Sequence, residues 1–314
     1  MKLTVKALVS PSYGPLDALN MADLPTPSPG PGEVLLRTEA VSLNGIDPKL
    51  VTGAMKDFIP VSHPFVPGVD VAGVVEAVGP GVTRFAAGDP VVAALGAGSG
   101  GLAEYVVTRD DSRLALRPGG LDAARGAALI TGAMTALTVL DTAGIRPEET
   151  VLVVGATGGV GSFTVQLARR VARTVYATGH AEDESFVLGL GADRLIDHRA
   201  ADLAQEAHRL VPDGVDVVLD LVQAGPALAS AAAAARPGGR LVSVLGGPPA
   251  FDREVGAAYV VTRFPPGRLG EVAAQAADGR LEVPISATYS FADARAAYLD
   301  FTTKHVTGKY VVTL

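Results

Sequence analysis

The stretch that most narrows what this chain can fold into is Val151-Leu-Val-Val-Gly-Ala-Thr-Gly-Gly-Val-Gly-Ser-Phe-Thr-Val-Gln-Leu-Ala-Arg169. Four apolar residues, Val151 to Val154, form a run of the kind that fills a buried parallel strand. A glycine-rich turn, Gly155 to Gly161, follows. Phe163, Val165, Leu167 and Ala168 then sit among small and polar residues, as on a helix laid against a sheet. Strand, glycine turn and helix in that order make a cradle for a pyrophosphate. The helix begins with unpaired N–H groups and a partial positive charge, so no basic side chain is needed. Read as A-x-G-x-x-G, the pattern falls on Ala156, Gly158 and Gly161. Ala156 is expected to turn the chain, Gly158 to let the backbone approach the phosphates, and Gly161 to let the helix pack closely on the strand. Gly159 adds a second position with no Cβ in the ligand's way, and Val160 completes the loop. Because the chain has 37 glycines, chance matches to this spacing are expected. The strand before it and the helix after it give it weight.

A length of 314 residues suggests two domains, and 48% hydrophobic residues supply enough apolar area for a sizeable core. The net charge of -7, with no long basic run, argues against a nucleic-acid partner. No uninterrupted apolar stretch reaches membrane-spanning length, and no charged-then-apolar signal opens the chain, so a cytoplasmic location without a membrane is expected. Cysteine is absent, which excludes disulfides and every Cys-ligated metal site. The five histidines, His63, His180, His198, His208 and His305, show no metal-type spacing.

Residues 1 to about 120 read as a β-rich unit: strands at Lys2–Ser10, Glu33–Ser42, Val69–Val78, Gly88–Ala93 and Leu102–Val107. The Pro-rich run Asp23–Pro31 reads as a loop, and the glycine loop Gly96–Gly101 separates the last two strands. Many short strands with Gly/Pro turns suggest a small barrel or folded sheet. Leu121 to Gly144 has helical spacing. From Val151, strands near 151–155, 174–178, 193–197, 215–221 and 240–245 alternate with helices, which is the doubly wound parallel pattern. Val255–Thr262 is a further strand at the sheet edge, broken by Phe264-Pro-Pro-Gly267. The tail returns to strand at Pro284–Tyr289, helix at Phe291–Thr302 and strand at Lys309–Leu314, so it is expected to rejoin the first domain.

Several segments in order resemble the medium-chain dehydrogenase/reductase superfamily, in its zinc-free quinone oxidoreductase-like branch. They are Val41–Lys49, Pro67–Val75, Ala103-Glu-Tyr105, Gly155–Gly161, Leu190-Gly-Ala-Asp193, Arg236–Arg240 and Gly308-Lys309. The resemblance implies an α/β fold with a GroES-like β-barrel domain (1–120, completed by 280–314) and a Rossmann doubly wound parallel sheet domain (121–279). In the zinc-dependent members a Cys, a His-Glu pair and a second Cys hold the metal. The first falls here near Asn44 to Ile46 and the pair at Val69-Asp70, with no Cys for the third. Since a catalytic zinc wants about three protein ligands, no metal is expected.

For the cofactor, NADP(H) is preferred over NAD(H). The strand ending in Gly179-His180 has no acid at its tip to hold a ribose 2′-hydroxyl, though Glu182-Asp183-Glu184 follows. His180 and Arg199 are the candidates to meet a 2′-phosphate, and His198 stands at the family's adenosine-side Tyr. Val222, Leu245 and Gly246, after strand ends, are expected to border the nicotinamide. By family position Lys309 lies near the cofactor phosphates. Thr135 either bonds a phosphate or ribose oxygen or is a mid-helix Thr bonded to its own backbone. Asn44 either contacts a substrate carbonyl or caps a turn before Gly45, and Asp47 reads as an N-cap. No residue stands out as general acid: the loop Thr52–Pro60 has no Tyr, and the chain has no Y-x-x-x-K.

The expectation is a zinc-independent, NADPH-dependent reductase. It passes hydride to a small electrophilic quinone or α,β-unsaturated carbonyl, and it is a homodimer through the Rossmann sheet edge near Val255–Thr262. The alternatives are a dedicated biosynthetic reductase of the same fold and an NADP(H)-binding protein without turnover.

Overall fold

A computed structural model describes residues 3–96, 100–200 and 202–314. The first part of the chain holds β1 (Thr4–Val9), β2 (Asn20–Pro25), β3 (Glu33–Ser42), α1 (Asp47–Thr52), β4 (Asp70–Val78), β5 (Pro90–Ala94), β6 (Tyr105–Arg109) and β7 (Leu114–Leu116). Helix α2 (Ala123–Ala143) is followed by β8 (Thr150–Val154), α3 (Gly161–Arg169), β9 (Thr174–Gly179), α4 (Glu184–Gly189) and β10 (Arg194–Asp197). Then come α5 (Leu203–Leu210), β11 (Val215–Asp220), α6 (Leu228–Ala232), β12 (Ala235–Ser243), β13 (Ala250–Phe251) and β14 (Val255–Tyr259). The tail holds α7 (Arg268–Ala277), β15 (Ile285–Ser290), α8 (Ala294–Thr303) and β16 (Lys309–Thr313).

Two compact units result: Met1–Thr131 with Phe264–Leu314, and Gly132–Arg263. These limits differ from the 120/121 and 279/280 boundaries read from the sequence. The first division falls inside α2. Helix α7 belongs to the first unit because it packs on β7 and because the Arg125 guanidinium bonds the Ala276 carbonyl at 2.8 Å. Both are contacts between residues far apart in the chain.

Strand β3 is the centre of the first unit. One edge pairs with β4; the other is shared, with Glu33–Arg37 on β6 and Ala40–Ser42 on β16. Register shifts at Leu35/Leu36 and Thr38/Ala40 bend the strand, and Gly73 opposite has no room for a Cβ, which would overlap the Arg37 carbonyl. The tail does rejoin this unit: Ala297, Tyr298, Tyr310 and Val312 share one core with Leu36, Val41, Leu50 and Val71. Asp23–Pro25, expected in a loop, extends β2 through its ladder with β1, and Leu114–Leu116 adds a short strand on β5. Lys2 and residues 97–99 of the expected glycine loop lie outside the described residues.

In the second unit the parallel strands run in the order β10-β9-β8-β11-β12-β14, with β13 antiparallel outside β14. The order reverses between β8 and β11, which creates the crevice at the strand C-termini where ligands bind in such sheets. Val255–Tyr259 is therefore not the outermost strand: the chain folds back and covers its first residues with Ala250–Phe251. Helix α2 is long and apolar enough to cross a bilayer by length and composition, contrary to the expectation of no such stretch, yet 67% of its apolar window is buried in the fold.

Candidate functional site

In the second unit, the crevice floor is the turn after β8. Gly155, not Ala156, makes the sharp turn, at φ 83°. A Cβ there would also overlap the Val222 side chain, which lies over it. Gly161 opens α3 pressed against the turn: a Cβ would overlap the Gly155 carbonyl and come within 2.7 Å of the Ala156 Cα. At Gly158 the nearest atom to a Cβ is 3.7 Å away, so that position is open. The first backbone bonds entering the helix are Ser162 N–H to Gly158 C=O at 2.9 Å and Thr164 N–H to Val160 C=O at 3.0 Å. The amides of Gly159, Val160 and Gly161 precede them and point their partial positive charge out of the helix start. The loop is tied down by Gly155 N–H donating to Thr178 Oγ1 at 3.0 Å.

At the tip of β9, Gly179 packs on Leu195 and Thr157, and His180 N–H donates to Asp183 Oδ2 at 3.0 Å. The sequence reading found no acid at this tip. The 3-10 turn Ala181–Asp183 brings one back, and Asp183 is buried. His180 Nδ1 is 2.5 Å from Arg199 Nη2, and the His180 and His198 rings are 5.1 Å apart. At the end of β11, Asp220 Oδ1 accepts from Val222 N–H at 2.9 Å and Gln223 N–H at 2.7 Å. Burial raises the Asp220 carboxyl above its usual range. Beyond β12, the Ser243 hydroxyl and Leu245 backbone bond each other, and Gly246 C=O accepts from Gly225 N–H at 2.7 Å. Tyr259 holds this loop from the next strand by donating to Pro248 C=O. Thr135 is not bonded to its own backbone: its hydroxyl bonds that of Thr262 at 2.6 Å, fastening α2 to the segment after β14.

The first unit holds a polar cluster that sequence reasoning had scattered. Asn44 Nδ2 donates to Asp70 Oδ2 at 2.9 Å and to Ser42 C=O at 3.2 Å, while Asn44 Oδ1 accepts from Lys309 Nζ at 2.6 Å. Both amide hydrogens are thus engaged, which leaves none for the substrate carbonyl expected there. Lys309 Nζ also donates to Leu43 C=O at 2.9 Å, so two of its bonds run into this cluster. Asp70 accepts from the Thr131 hydroxyl at 2.6 Å and backbone N–H at 3.0 Å. Asp47 does not cap α1; Ile46 occupies the N-cap position. The Asp47 carboxyl accepts from Asn44 N–H at 2.8 Å and Gly68 N–H at 3.2 Å. Burial pushes Asp47 up to about 7, against the pull of its backbone bonds, and raises Asp70 as well. Burial lowers Lys309, opposed by both carboxylates. Asp47, Asp70 and Thr131 are the members the sequence reading missed. The available signal was a carboxylate at the start of the Val/Ala-rich β4, which burial would leave needing a partner.

Residues 30–118 match the alcohol dehydrogenase GroES-like domain, and residues 190–312 match the zinc-binding dehydrogenase family. The chain is 41% identical over 198 residues to a chloroplastic quinone-oxidoreductase homolog of Spinacia oleracea, covering 60% of this chain and 59% of that one. The chain spans about three-fifths of the length of the curated relatives it matches, at 59%, 58% and 62%. Among solved structures, the quinone oxidoreductase from Coxiella burnetii aligns with a TM-score of 0.88 at 26% identity, covering 99% of each chain. A cobalt- and zinc-bound thermostable alcohol dehydrogenase from Pyrobaculum aerophilum aligns with a TM-score of 0.84 at 30% identity, covering 99% of this chain and 100% of that one.

Proposed function

Because the chain belongs to the medium-chain dehydrogenase/reductase superfamily, in its quinone-oxidoreductase-like branch, we propose that it is a nicotinamide-dependent reductase of a quinone or an α,β-unsaturated carbonyl. The observation that carries this reading is the Gly155–Gly161 turn, set where the strand order reverses, closed to a Cβ at Gly155 and Gly161 and open at Gly158. The amides of Gly159, Val160 and Gly161 would hold the pyrophosphate. Val222, Leu245 and Gly246, beyond the C-terminal ends of β11 and β12, would border the nicotinamide. The bound cofactor supplies a hydride for the electron-poor carbon of the acceptor.

We keep NADP(H) as the preferred cofactor on the basis of Arg199, an exposed guanidinium beside His180 that a 2′-phosphate dianion would engage. The buried Asp183 carboxylate favours the rival, NAD(H), since an acid at this tip suits a ribose hydroxyl. Titration with both cofactors separates them. Tighter NADPH binding that Arg199→Ala weakens about tenfold, roughly 1.4 kcal/mol, supports the preference; tighter NADH binding removes it.

A zinc ion does not suit the cluster around Asp70. The cluster offers no sulfur or imidazole nitrogen, and each carboxylate already accepts hydrogen bonds on both oxygens. The reading is therefore a zinc-independent reductase. NADPH oxidation is to be measured against a panel of quinones and enones. Turnover on any of them supports it. Tight cofactor binding with no turnover favours a binding protein, a reading to which the fully engaged Asn44 amide lends support. A homodimer along the Ala250–Tyr259 end of the sheet is part of the proposal, and sedimentation with and without a charge placed at Ala257 tests it.

A further inference from the structure

Two carboxylates, a carboxamide and an ammonium meet here almost without solvent: Asp47 and Asp70 are 0% exposed, Lys309 3% and Asn44 7%. Ions in such a place are costly unless charge and hydrogen bonds are balanced. The balance is visible atom by atom. The ammonium donates to the amide oxygen of Asn44, and the amide nitrogen donates to Asp70. Reversing the amide would set an N–H₂ group against the ammonium and a carbonyl oxygen against the carboxylate, so one orientation is selected.

The position of the cluster adds a second point. The stretches that the family resemblance equates with the first metal ligands, Asn44–Ile46 and Val69-Asp70, are bridged in this chain by the Asn44–Asp70 bond. Lys309 reaches the bridge from β16, over 200 residues away in sequence. Asp70 is left with three hydrogen bonds, from Asn44 and Thr131, and with the charge of Lys309 near enough to oppose the effect of burial on its carboxyl, but no vacancy for a metal.

We infer that the Lys309 ammonium is the resident cation of this site, standing where zinc-dependent members of the family hold a metal, and that with Asp70 it fixes the Asn44 amide in one orientation. Lys309 and Asp70 are positioning residues for Asn44. This holds whether or not the chain is a reductase, because it concerns the folded protein before any turnover.

A charge-pair cycle on the full chain tests it. Asp70→Asn retains an acceptor for Asn44 and Thr131 but removes the negative charge; Lys309→Met removes the positive charge at similar volume. Each alone should lower the melting temperature by on the order of 10 °C, because it leaves a buried ion unpaired. The double variant should regain at least half of that loss; a loss equal to the sum of the two overturns the inference. If the variants do not fold, the unmodified protein still decides. Its melting temperature should not move with a chelator, and a fall overturns the inference. In proton NMR the Asn44 side-chain amide should exchange slowly, and Lys309→Met should speed that exchange at least tenfold while leaving exposed Asn20 unchanged. Equal, fast exchange at both residues in the unmodified protein would also overturn it.

Discussion

The two units carry polar sites of opposite construction. The turn after β8 is made of backbone: its donors are main-chain amides, and its side chains matter mostly by being absent. The cluster around Asp70 is made of side chains from β4, β16, α1, α2 and the segment between β3 and α1, with the backbone as a lesser partner. A backbone site is encoded within a dozen consecutive residues, because glycine spacing and helix start suffice. A side-chain site depends on which distant residues the fold brings together, and each member alone looks ordinary.

The contrast can be broken most directly within the turn itself. Gly161→Ala should cost about 3 kcal/mol of stability, since the new methyl overlaps the Gly155 carbonyl; chemical denaturation measures it. Gly158→Asp, three residues earlier, should leave the denaturation midpoint nearly unchanged but weaken NADPH binding at least 100-fold, about 2.7 kcal/mol. If Gly158→Asp unfolds the protein while Gly161→Ala does not, the division of tasks within the turn is wrong.

Next come two carboxylates shifted in opposite directions. Hydrogen bonds from Arg240 hold Glu149 down to about 2, although burial pushes the other way. A depressed acid contributes stability that is present above its ordinary value and lost as pH falls from about 4.5 to about 2. Asp47 is raised to about 7, so the native state keeps a proton that the unfolded chain has lost, and stability declines as pH rises from about 4 to about 7. Denaturation as a function of pH should show both limbs, each with a slope of up to about 1.4 kcal/mol per pH unit. Glu149→Gln should flatten only the acid limb. Asp47→Asn should reduce only the limb near neutrality, whatever its effect on absolute stability. A variant that alters the other limb breaks the assignment.

The smallest expected effect is at Thr135→Val, which removes the bond to Thr262 and should cost about 1 kcal/mol. If cofactor binding weakens by much more than stability, the hydroxyl serves the ligand after all.

Much of the framework was legible along the chain. Glu33–Ser42 was read residue for residue as β3, and the alternation after Val151 gave the doubly wound sheet, because period and apolar runs are local properties. The return of the tail was legible from its change of texture. What failed did so for lack of long-range information. Val255–Tyr259 lost its place at the edge to a two-residue strand, Ala250–Phe251, too short to show a pattern. The acid missing from the end of β9 is supplied by Asp183 through a 3-10 turn, which strand patterning does not capture.

The sequence alone determined that this chain would carry a glycine turn between a buried strand and a helix, and would lack cysteine ligands for a metal. Those depend on residue type and short spacing. Tertiary structure decided that the buried Asn44, Asp47, Asp70 and Lys309 form one cluster with the half-buried Thr131, because Lys309 comes within reach of Asn44 only once β16 has paired with β3. It also decided the direction in which these groups shift, since the shifts at Asp47 and Lys309 arise chiefly from burial, which no residue has until the core has closed.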